Sequence, residues 1–127
     1  MKTLKLKVVH RILIHGMLNT DGTKSGNFTL KNLSLMLKIL DRVNFSEEEA
    51  KVLNIRVEEG GTVKWNAFTT AEDGTKTDVD VEKEIELSDD QAELLKDIMK
   101  QKNERKEFTL NGLTPMMEIA QQLGFEI

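Results

Sequence analysis

The stretch FTLKNLSLMLKILDRVNF (residues 28–45) is repeated near the other end of the chain as FTLNGLTPMMEIAQQLGF (residues 108–125). Seven residues recur unchanged at an offset of 80: Phe28, Thr29, Leu30, Leu33, Met36, Ile39 and Phe45 become Phe108, Thr109, Leu110, Leu113, Met116, Ile119 and Phe125. A threonine followed by apolar residues at helical spacing is typical of a capped amphipathic helix. The repetition therefore predicts two helices of one kind, whose apolar faces pack against each other.

In the first copy, Thr29 is the expected N-cap of a helix that ends at Val43. The apolar face of this helix is predicted to consist of Leu30, Leu33, Met36, Leu37, Leu40 and Val43. Leu35 and Ile39 widen that face. We therefore expect this helix to be the most buried one of the fold.

Both copies end in the same way, with a residue that tolerates the left-handed conformation followed by a phenylalanine that folds back on the last turn. The residues concerned are Asn44 and Phe45 in the first copy and Gly124 and Phe125 in the second. Pro115 distinguishes the second copy, because it removes a backbone donor. The second helix should therefore either kink or begin anew, with Thr114 as its N-cap.

A second pair of similar segments consists of FSEEEAKVL (45–53) and LSDDQAELL (87–95). Ser46 with Glu49, and Ser88 with Gln91, each satisfy the Ser-x-x-Glu/Gln capping box that starts a helix. The capping box follows the FTL helix in the first half of the chain and precedes it in the second half. This order argues against a strict tandem repeat, and both duplication and convergence on the same helix pattern remain open.

These patterns predict an α+β fold in a single domain, with four to five helices in two helical hairpins. The plan is a first helical hairpin over 6–45, a short helix over 46–53, a β insertion over 54–87 and a second helical hairpin over 88–125. The first helix is expected over residues 6–18, although its opening LKLKVV could equally be a short strand. Residues 19–27 are rich in turn formers and predict an exposed loop.

The β insertion is predicted from alternating apolar residues on both sides of Glu72-Asp73-Gly74. A three-residue loop with Gly74 in the left-handed conformation pairs Trp65 with Val81 and places like residues on one face. A two-residue turn would instead pair Trp65 with Glu82 and mix the faces. We therefore predict the bulged hairpin, with Trp65 anchoring the sheet on the helices. A short strand over residues 54–58 would extend the hairpin to a three-stranded antiparallel sheet.

The composition restricts the class of protein. The chain has 127 residues, 39% of them hydrophobic, and this length is that of one domain with its own core. It contains no cysteine, its net charge is −4, and no apolar run reaches the length of a membrane span. We expect a protein of the reducing cytoplasm that binds neither membranes nor, given its charge, nucleic acid.

Candidate catalytic or metal-binding residues are few. His10 and His15 diverge by about 140° on a helix and cannot act as a pair. The two Asp-Gly-Thr-Lys segments, 21–24 and 73–76, lack the later carboxylates of a calcium loop and are interpreted as turns. The basic segment 100–106 has no interleaved aromatic residue. We therefore predict no catalytic residue, no cofactor and no metal site, and a protein that is not an enzyme.

The most unusual feature is an acidic face on the strand predicted over residues 78–86. It carries five carboxylates spaced by about 6.6 Å, with Phe68 opposite the first of them. These candidate partner-binding residues are Phe68, Asp78, Asp80, Glu82, Glu84 and Glu86. In the predicted register only Lys64 faces this row of carboxylates, opposite Glu82. The face is either a docking surface for a basic partner or an ordinary solvated face that guards the strand edge.

The order of the segments HRILIHGMLN, FSEEEAKVLNIRVEEGGTVKW and VEKEIELS resembles that of small uncharacterised proteins of bacteriophages and prophages. This resemblance implies an accessory protein in the cytoplasm of a bacterial host. Its expected function is that of an inhibitor or adaptor that binds a host or phage protein with a basic surface, as a monomer or as a homodimer. The alternatives are a structural or assembly component of a phage particle and, less in keeping with the residues, an unrecognised enzyme.

Overall fold

The computed structural model describes residues 1–22, 28–110 and 112–125, with residues 20–22 described by their backbone alone. The described residues form five helices and six short strands. In chain order these are β1 (Lys2–Leu6), α1 (Val8–Gly22), α2 (Leu30–Val43), α3 (Glu47–Leu53), β2 (Arg56–Val57), β3 (Val63–Lys64), β4 (Phe68–Thr70), β5 (Lys76–Asp78), β6 (Lys83–Leu87), α4 (Asp89–Glu104) and α5 (Leu113–Gln122). The predicted α+β class is confirmed, including its five helices and antiparallel strand pairs.

The chain divides into two compact units. The first, here called the core unit, combines residues 1–44 with residues 83–127. The second, called the inserted unit, consists of residues 45–82. Each unit is described by itself below.

The core unit contains a two-stranded antiparallel sheet of β1 and β6, in which Leu4 is opposite Ile85. Leu4 and Leu6 on β1, and Ile85 and Leu87 on β6, are buried, whereas the residues between them are exposed. The strand alternative for the N-terminus is therefore the correct one. The prediction that residues 83–87 continue the hairpin around Gly74 is wrong, because these residues pair with β1. Alternation identifies a strand but not its partner, and β1 offers β6 an equally apolar face.

The core unit is built from two β–α–α segments in the same order, β1–α1–α2 and β6–α4–α5. At an offset of 81, buried positions of the first strand and helix match buried positions of the second. The matching pairs are Leu4 with Ile85, Leu6 with Leu87, His10 with Gln91, Ile14 with Leu95, Met17 with Ile98 and Leu18 with Met99. The sequence-based argument against a strict tandem repeat rested on the capping boxes of two helices. It compared α3 with α4, whereas the structural counterpart of α4 is α1.

The start of α1 explains why the sequence did not reveal this match. At α4, Ser88 donates its N–H to Gln91 Oε1 at 3.0 Å, and its hydroxyl accepts from the Gln91 N–H at 3.2 Å. At α1, Lys7 donates its N–H to His10 Nδ1 at 2.9 Å. His10 and Gln91 therefore accept equivalent backbone hydrogen bonds. At α1 the serine by which a capping box is recognised in a sequence is missing.

Helices α1 and α2 are joined by a buried arginine. Arg11 donates from Nε to the Val43 carbonyl at 3.0 Å and from Nη2 to the Asn44 carbonyl at 2.6 Å. These carbonyls lie at the end of α2, where the last turn of a helix lacks its own donors and carries a partial negative charge. One side chain thus caps α2 and fixes it to α1.

The repeated FTL helices are α2 and α5. Thr29 is the N-cap of α2, and its hydroxyl accepts from the Asn32 N–H at 3.1 Å, as predicted. Met36, Ile39 and Val43 of α2 are buried, but Leu30, Leu33 and Leu37 are exposed, which the predicted apolar face did not anticipate. Over the described residues, α2 packs against α1, α4 and β6, and α5 packs against α1 and β1. The prediction that the two FTL helices pack on each other is therefore wrong.

The ends of the FTL helices follow the predictions in part. Gly124 has a φ of +75°, whereas Asn44 is extended with a φ of −66°. Helix α5 begins anew as predicted, but its N-cap is Gly112 and not Thr114. Pro115 is then the third residue of the helix, where its missing N–H has no intrahelical acceptor to lose. Of the loop predicted over residues 19–27, residues 19–22 continue α1, and residues 23–27 lie outside the described residues.

The inserted unit contains α3 and two antiparallel strand pairs. Ser46 and Glu49 form the predicted capping box of α3. Strand β2 pairs with β3, and β4 pairs with β5. Phe68 is opposite Asp78 and Thr70 is opposite Lys76, which is the predicted bulged register with a loop over residues 72–74. The predicted three-stranded sheet is not formed, because the two pairs remain separate sheets in the described chain.

Candidate partner-binding site

The predicted acidic face is divided by the fold. Asp78 ends β5, Asp80 and Glu82 lie in the segment after it, and Glu84 and Glu86 lie on β6. The first three belong to the inserted unit and the last two to the core unit. The continuous strand predicted over residues 78–86 is therefore wrong, and the six candidate residues do not form one ladder of carboxylates.

Asp80 has a structural partner within its own unit. The indole Nε1–H of Trp65 donates to Asp80 Oδ2 at 3.1 Å, and both residues are half-buried. The backbone N–H of Asp80 also donates to the Ala67 carbonyl at 3.2 Å. The sequence had placed Trp65 and Asp80 on opposite faces of one sheet. That prediction is wrong, because the pairing of β4 with β5 ends at Phe68 and Asp78. Trp65 and Asp80 lie beyond this pairing, so the alternation of faces in a sheet does not apply to them.

Phe68 and Asp78 lie at the open end of the β4–β5 hairpin. They are directly opposite each other, and Phe68 is 44% exposed. The Nζ atom of Lys76 lies 4.7 Å from the centre of the Phe68 ring, within the range of a cation–π contact. Phe68 is therefore an exposed aromatic residue beside a carboxylate, as the sequence predicted, although one face of its ring meets a lysine.

The two carboxylates on β6 face a different neighbour from the one predicted. Glu84 is opposite Lys5 and Glu86 is opposite Thr3 on β1. Both glutamates are exposed on the outer face of the two-stranded sheet. Opposite charges across a strand pair stabilise the pairing, so Glu84 contributes to the sheet of the core unit.

The inserted unit holds its shape through local hydrogen bonds. Asn54 ends α3 in the left-handed conformation, and the Asn66 N–H donates to the Leu53 carbonyl at 2.7 Å. In the loop of the β4–β5 hairpin, the Thr75 N–H donates to Asp73 Oδ1 at 2.9 Å. Hydrogen bonds from the backbone and side chain of Thr75 lower the pKa of Asp73 below its ordinary value of 3.8. This hairpin loop therefore keeps its carboxylate ionised.

The surface of the inserted unit combines negative charge with exposed apolar side chains. Its ten acidic and four basic residues give a net charge of −6, although the whole chain carries −4. Four large apolar residues are exposed among them, namely Val52 (50%), Val57 (71%), Phe68 (44%) and Val81 (60%). Sequence reasoning missed Val52 and Val57 and had placed Val81 on a buried face. Counting charge by segment would have found the acidic unit, but only the strand ends reveal that Val81 is exposed.

Of the two histidines, His10 has a carboxylate nearby, since its Nε2 atom lies 3.5 Å from Glu118 Oε1 on α5. His10 is buried at the start of α1 and His15 is half-buried on the same helix. In the described ranges, no three His, Asp or Glu side chains are grouped so as to hold a metal ion. Among the described helices, none combines the length and apolar character that crossing a membrane requires. Residues 73–75 belong to the hairpin turn before β5, whereas in the similar segment 21–24 residues 21–22 continue α1 and residues 23–24 lie outside the described residues.

Comparisons with models of protein families, with curated proteins and with solved structures find no match to this chain. The resemblance to phage and prophage proteins therefore stays a prediction from the sequence.

Proposed function

We propose that this protein is a non-catalytic protein-binding module that meets a partner with a basic surface through its inserted unit. In keeping with the resemblance described above, the proposed role is that of a phage-type accessory protein, an inhibitor or adaptor in the bacterial cytoplasm. A component of a phage particle is the second candidate.

The observation that carries the proposal is that the residues of the core unit form the buried apolar cluster by themselves, whereas the inserted unit exposes most of its side chains. Among the described residues, the buried apolar cluster draws all its members from residues 4–18, 36–43, 85–99 and 119–123. A surface that exposes both charge and apolar side chains is well suited to recognition. The negative field would steer a basic partner, and the apolar residues would supply contact area.

The proposed contact residues differ from the six candidate residues that the sequence predicted. Phe68, Asp78 and Glu82 are kept, because they are exposed on the inserted unit, and Val81 is added. Asp80 is not substituted, because the loss of its hydrogen bond to Trp65 would also disturb the structure of the inserted unit. Glu84 and Glu86 become matched controls, because they belong to the sheet of the core unit.

The test begins with affinity capture from a bacterial lysate, to obtain a partner for rate measurements. The double variant Asp78→Asn/Glu82→Gln should slow association and reduce its salt dependence, because both effects come from long-range charge. Phe68→Ser should mainly accelerate dissociation, because it removes a short-range contact. The control Glu84→Gln/Glu86→Gln removes the same amount of charge and should leave the dissociation rate unchanged.

The proposal fails if Asp78→Asn/Glu82→Gln and its control change the association rate equally, because the charge of the whole chain would then act without a defined surface. Light scattering on the isolated protein distinguishes a binding module from a component of a phage particle. A binding module should remain a discrete monomer or dimer, whereas a particle component should form higher oligomers by itself.

A further inference from the structure

The core unit contains an apolar cavity of about 500 Å³ between α1, the end of α4 and α5. This volume lies within the range of about 300–1,000 Å³ that is usual for small-molecule sites. Gly16, Asn103 and Thr109 line it and are exposed, so the cavity opens to solvent. It lies in the core unit and is independent of the function proposed for the inserted unit.

The cavity arises where the two β–α–α segments differ. In the first segment Arg11 fixes α1 to the end of α2, but its counterpart at an offset of 81 is Ala92, which has no side-chain donor. In the second segment α5 also starts three residues later than α2 does in its copy, at Leu113. Over the described residues α4 and α5 accordingly have little direct contact, and the space between them stays open.

The walls of the cavity differ in polarity. Helices α1 and α5 contribute apolar side chains, among them Ile12, Leu13, Met17, Met116 and Met117. Four of the six methionines of the chain line the cavity, and methionine adapts its shape to varied ligands. The polar lining is confined to the end of α4 and the segment after it, with Lys102, Asn103, Glu107 and Thr109.

The polar wall favours an uncharged group. Both charged residues of the wall already have partners within the protein: the Glu107 carboxylate accepts from Arg105 Nε at 2.6 Å, and Lys102 Nζ lies 5.9 Å from the centre of the Phe108 ring. Asn103 and Thr109 add an amide and a hydroxyl. Thr29 uses its hydroxyl to cap α2, whereas α5 is capped at Gly112, so that Thr109 lines the cavity and is not the N-cap of α5.

We propose that this cavity binds a small amphiphile with an alkyl or aromatic body and one uncharged hydrogen-bonding end, such as an alcohol or amide. The body lies between the apolar walls of α1 and α5, where it is removed from water. The polar end meets Asn103 and Thr109 at the opening.

The test uses 1-octanol and octanoate as probes, with displacement of the uncharged dye N-phenyl-1-naphthylamine as the readout on the full chain. Octanol should displace the dye saturably and should bind more tightly than octanoate at pH 7. Gly16→Leu places a side chain in the opening and should abolish this binding. Gly16→Ala, at the same position, should preserve it, because a Cβ at Gly16 meets no atom within 4 Å.

Two further variants test the hydrogen bond at the polar end and the location of the binding site. Thr109→Val retains the shape of the side chain but loses the hydroxyl, and should weaken octanol by about three- to tenfold, the worth of one hydrogen bond. Leu37→Ser removes an exposed apolar residue of α2, away from the cavity lining, and should change nothing. Absence of saturable binding, insensitivity to Gly16→Leu or loss through Leu37→Ser would each overturn the site. Equal or tighter binding of octanoate would overturn the uncharged end.

Discussion

His10 and Gln91 perform the same task at the start of two equivalent helices, although their side chains are chemically unlike. Each places an acceptor where it meets the N–H of the residue before the helix, at 2.9 Å for His10 and 3.0 Å for Gln91. Both positions are at least nine-tenths buried, so shape and acceptor are constrained together. Capping thus accounts for the Nδ1 atom of His10, while its buried Nε2 atom lies 3.5 Å from Glu118 Oε1.

This equivalence predicts the effect of substitutions at His10. His10→Gln should retain the acceptor and change the free energy of unfolding by less than about 1 kcal/mol. His10→Met, similar in size but a poor acceptor, should cost about 0.5–2 kcal/mol, the usual worth of a helix cap. Urea denaturation measures both. Equal losses for the two variants would show that His10 contributes packing alone.

At the scale of single elements, the start of α5 is the clearest case of local sequence acting on the surrounding structure. Gly112 has a φ of +72°, and a Cβ there would lie 3.4 Å from Leu13 Cδ2. Its counterpart in the first copy is Asn32, which lies inside α2. The change from helix interior to N-cap shortens α5 and helps to open the cavity beside it.

Two glycine-to-alanine substitutions should therefore have opposite signs. Gly112→Ala should destabilise the protein by about 1–3 kcal/mol, because alanine is strained at a positive φ. Gly16→Ala, within α1 and with open space at its Cβ, should stabilise it by about 0.5–1 kcal/mol through helix propensity. Thermal unfolding of both variants tests this contrast, and a stabilising Gly112→Ala would contradict the structure at the start of α5.

For the whole molecule, the decisive feature is the uneven distribution of burial between the two units. In the core unit, one face of the β1–β6 sheet and the apolar sides of the four helices form a common buried cluster. In the inserted unit only Leu53 is fully buried, and the residues of its four short strands are exposed or half-buried. Because burial provides most of the stability of a fold, the inserted unit should open more easily.

Hydrogen exchange provides the measurement. Amides of the β4–β5 hairpin should exchange at least about 100-fold faster than those of Leu4 and Leu6 in β1, because local opening exposes them first. Trp65→Phe removes the indole donor to Asp80 and should accelerate exchange in the inserted unit while leaving β1 and β6 unchanged. Uniform protection along the chain, or a response of β1 to Trp65→Phe, would mean that the two units unfold as one.

The sequence by itself determined what depends on neighbouring residues. The caps of α2, α3 and α4 and the three-residue loop with Gly74 are all set by contacts within a few positions, and all were predicted correctly. The α+β class followed from the same patterns. These features have local causes, namely side-chain acceptors for terminal N–H groups and the register imposed by a turn.

Only the tertiary structure decided which elements meet. Alternation marked residues 83–87 as a strand but could not choose between the hairpin and β1, because both offer an apolar face of the same period. Helical spacing marked Leu30, Leu33 and Leu37 as apolar, yet the face that α2 buries is set by the helices around it. The division of the acidic face follows from the same choice of partner, since pairing with β1 takes Glu84 and Glu86 into the core unit. Such choices depend on competition between distant segments for burial. The outcome of that competition cannot be inferred from a local sequence pattern.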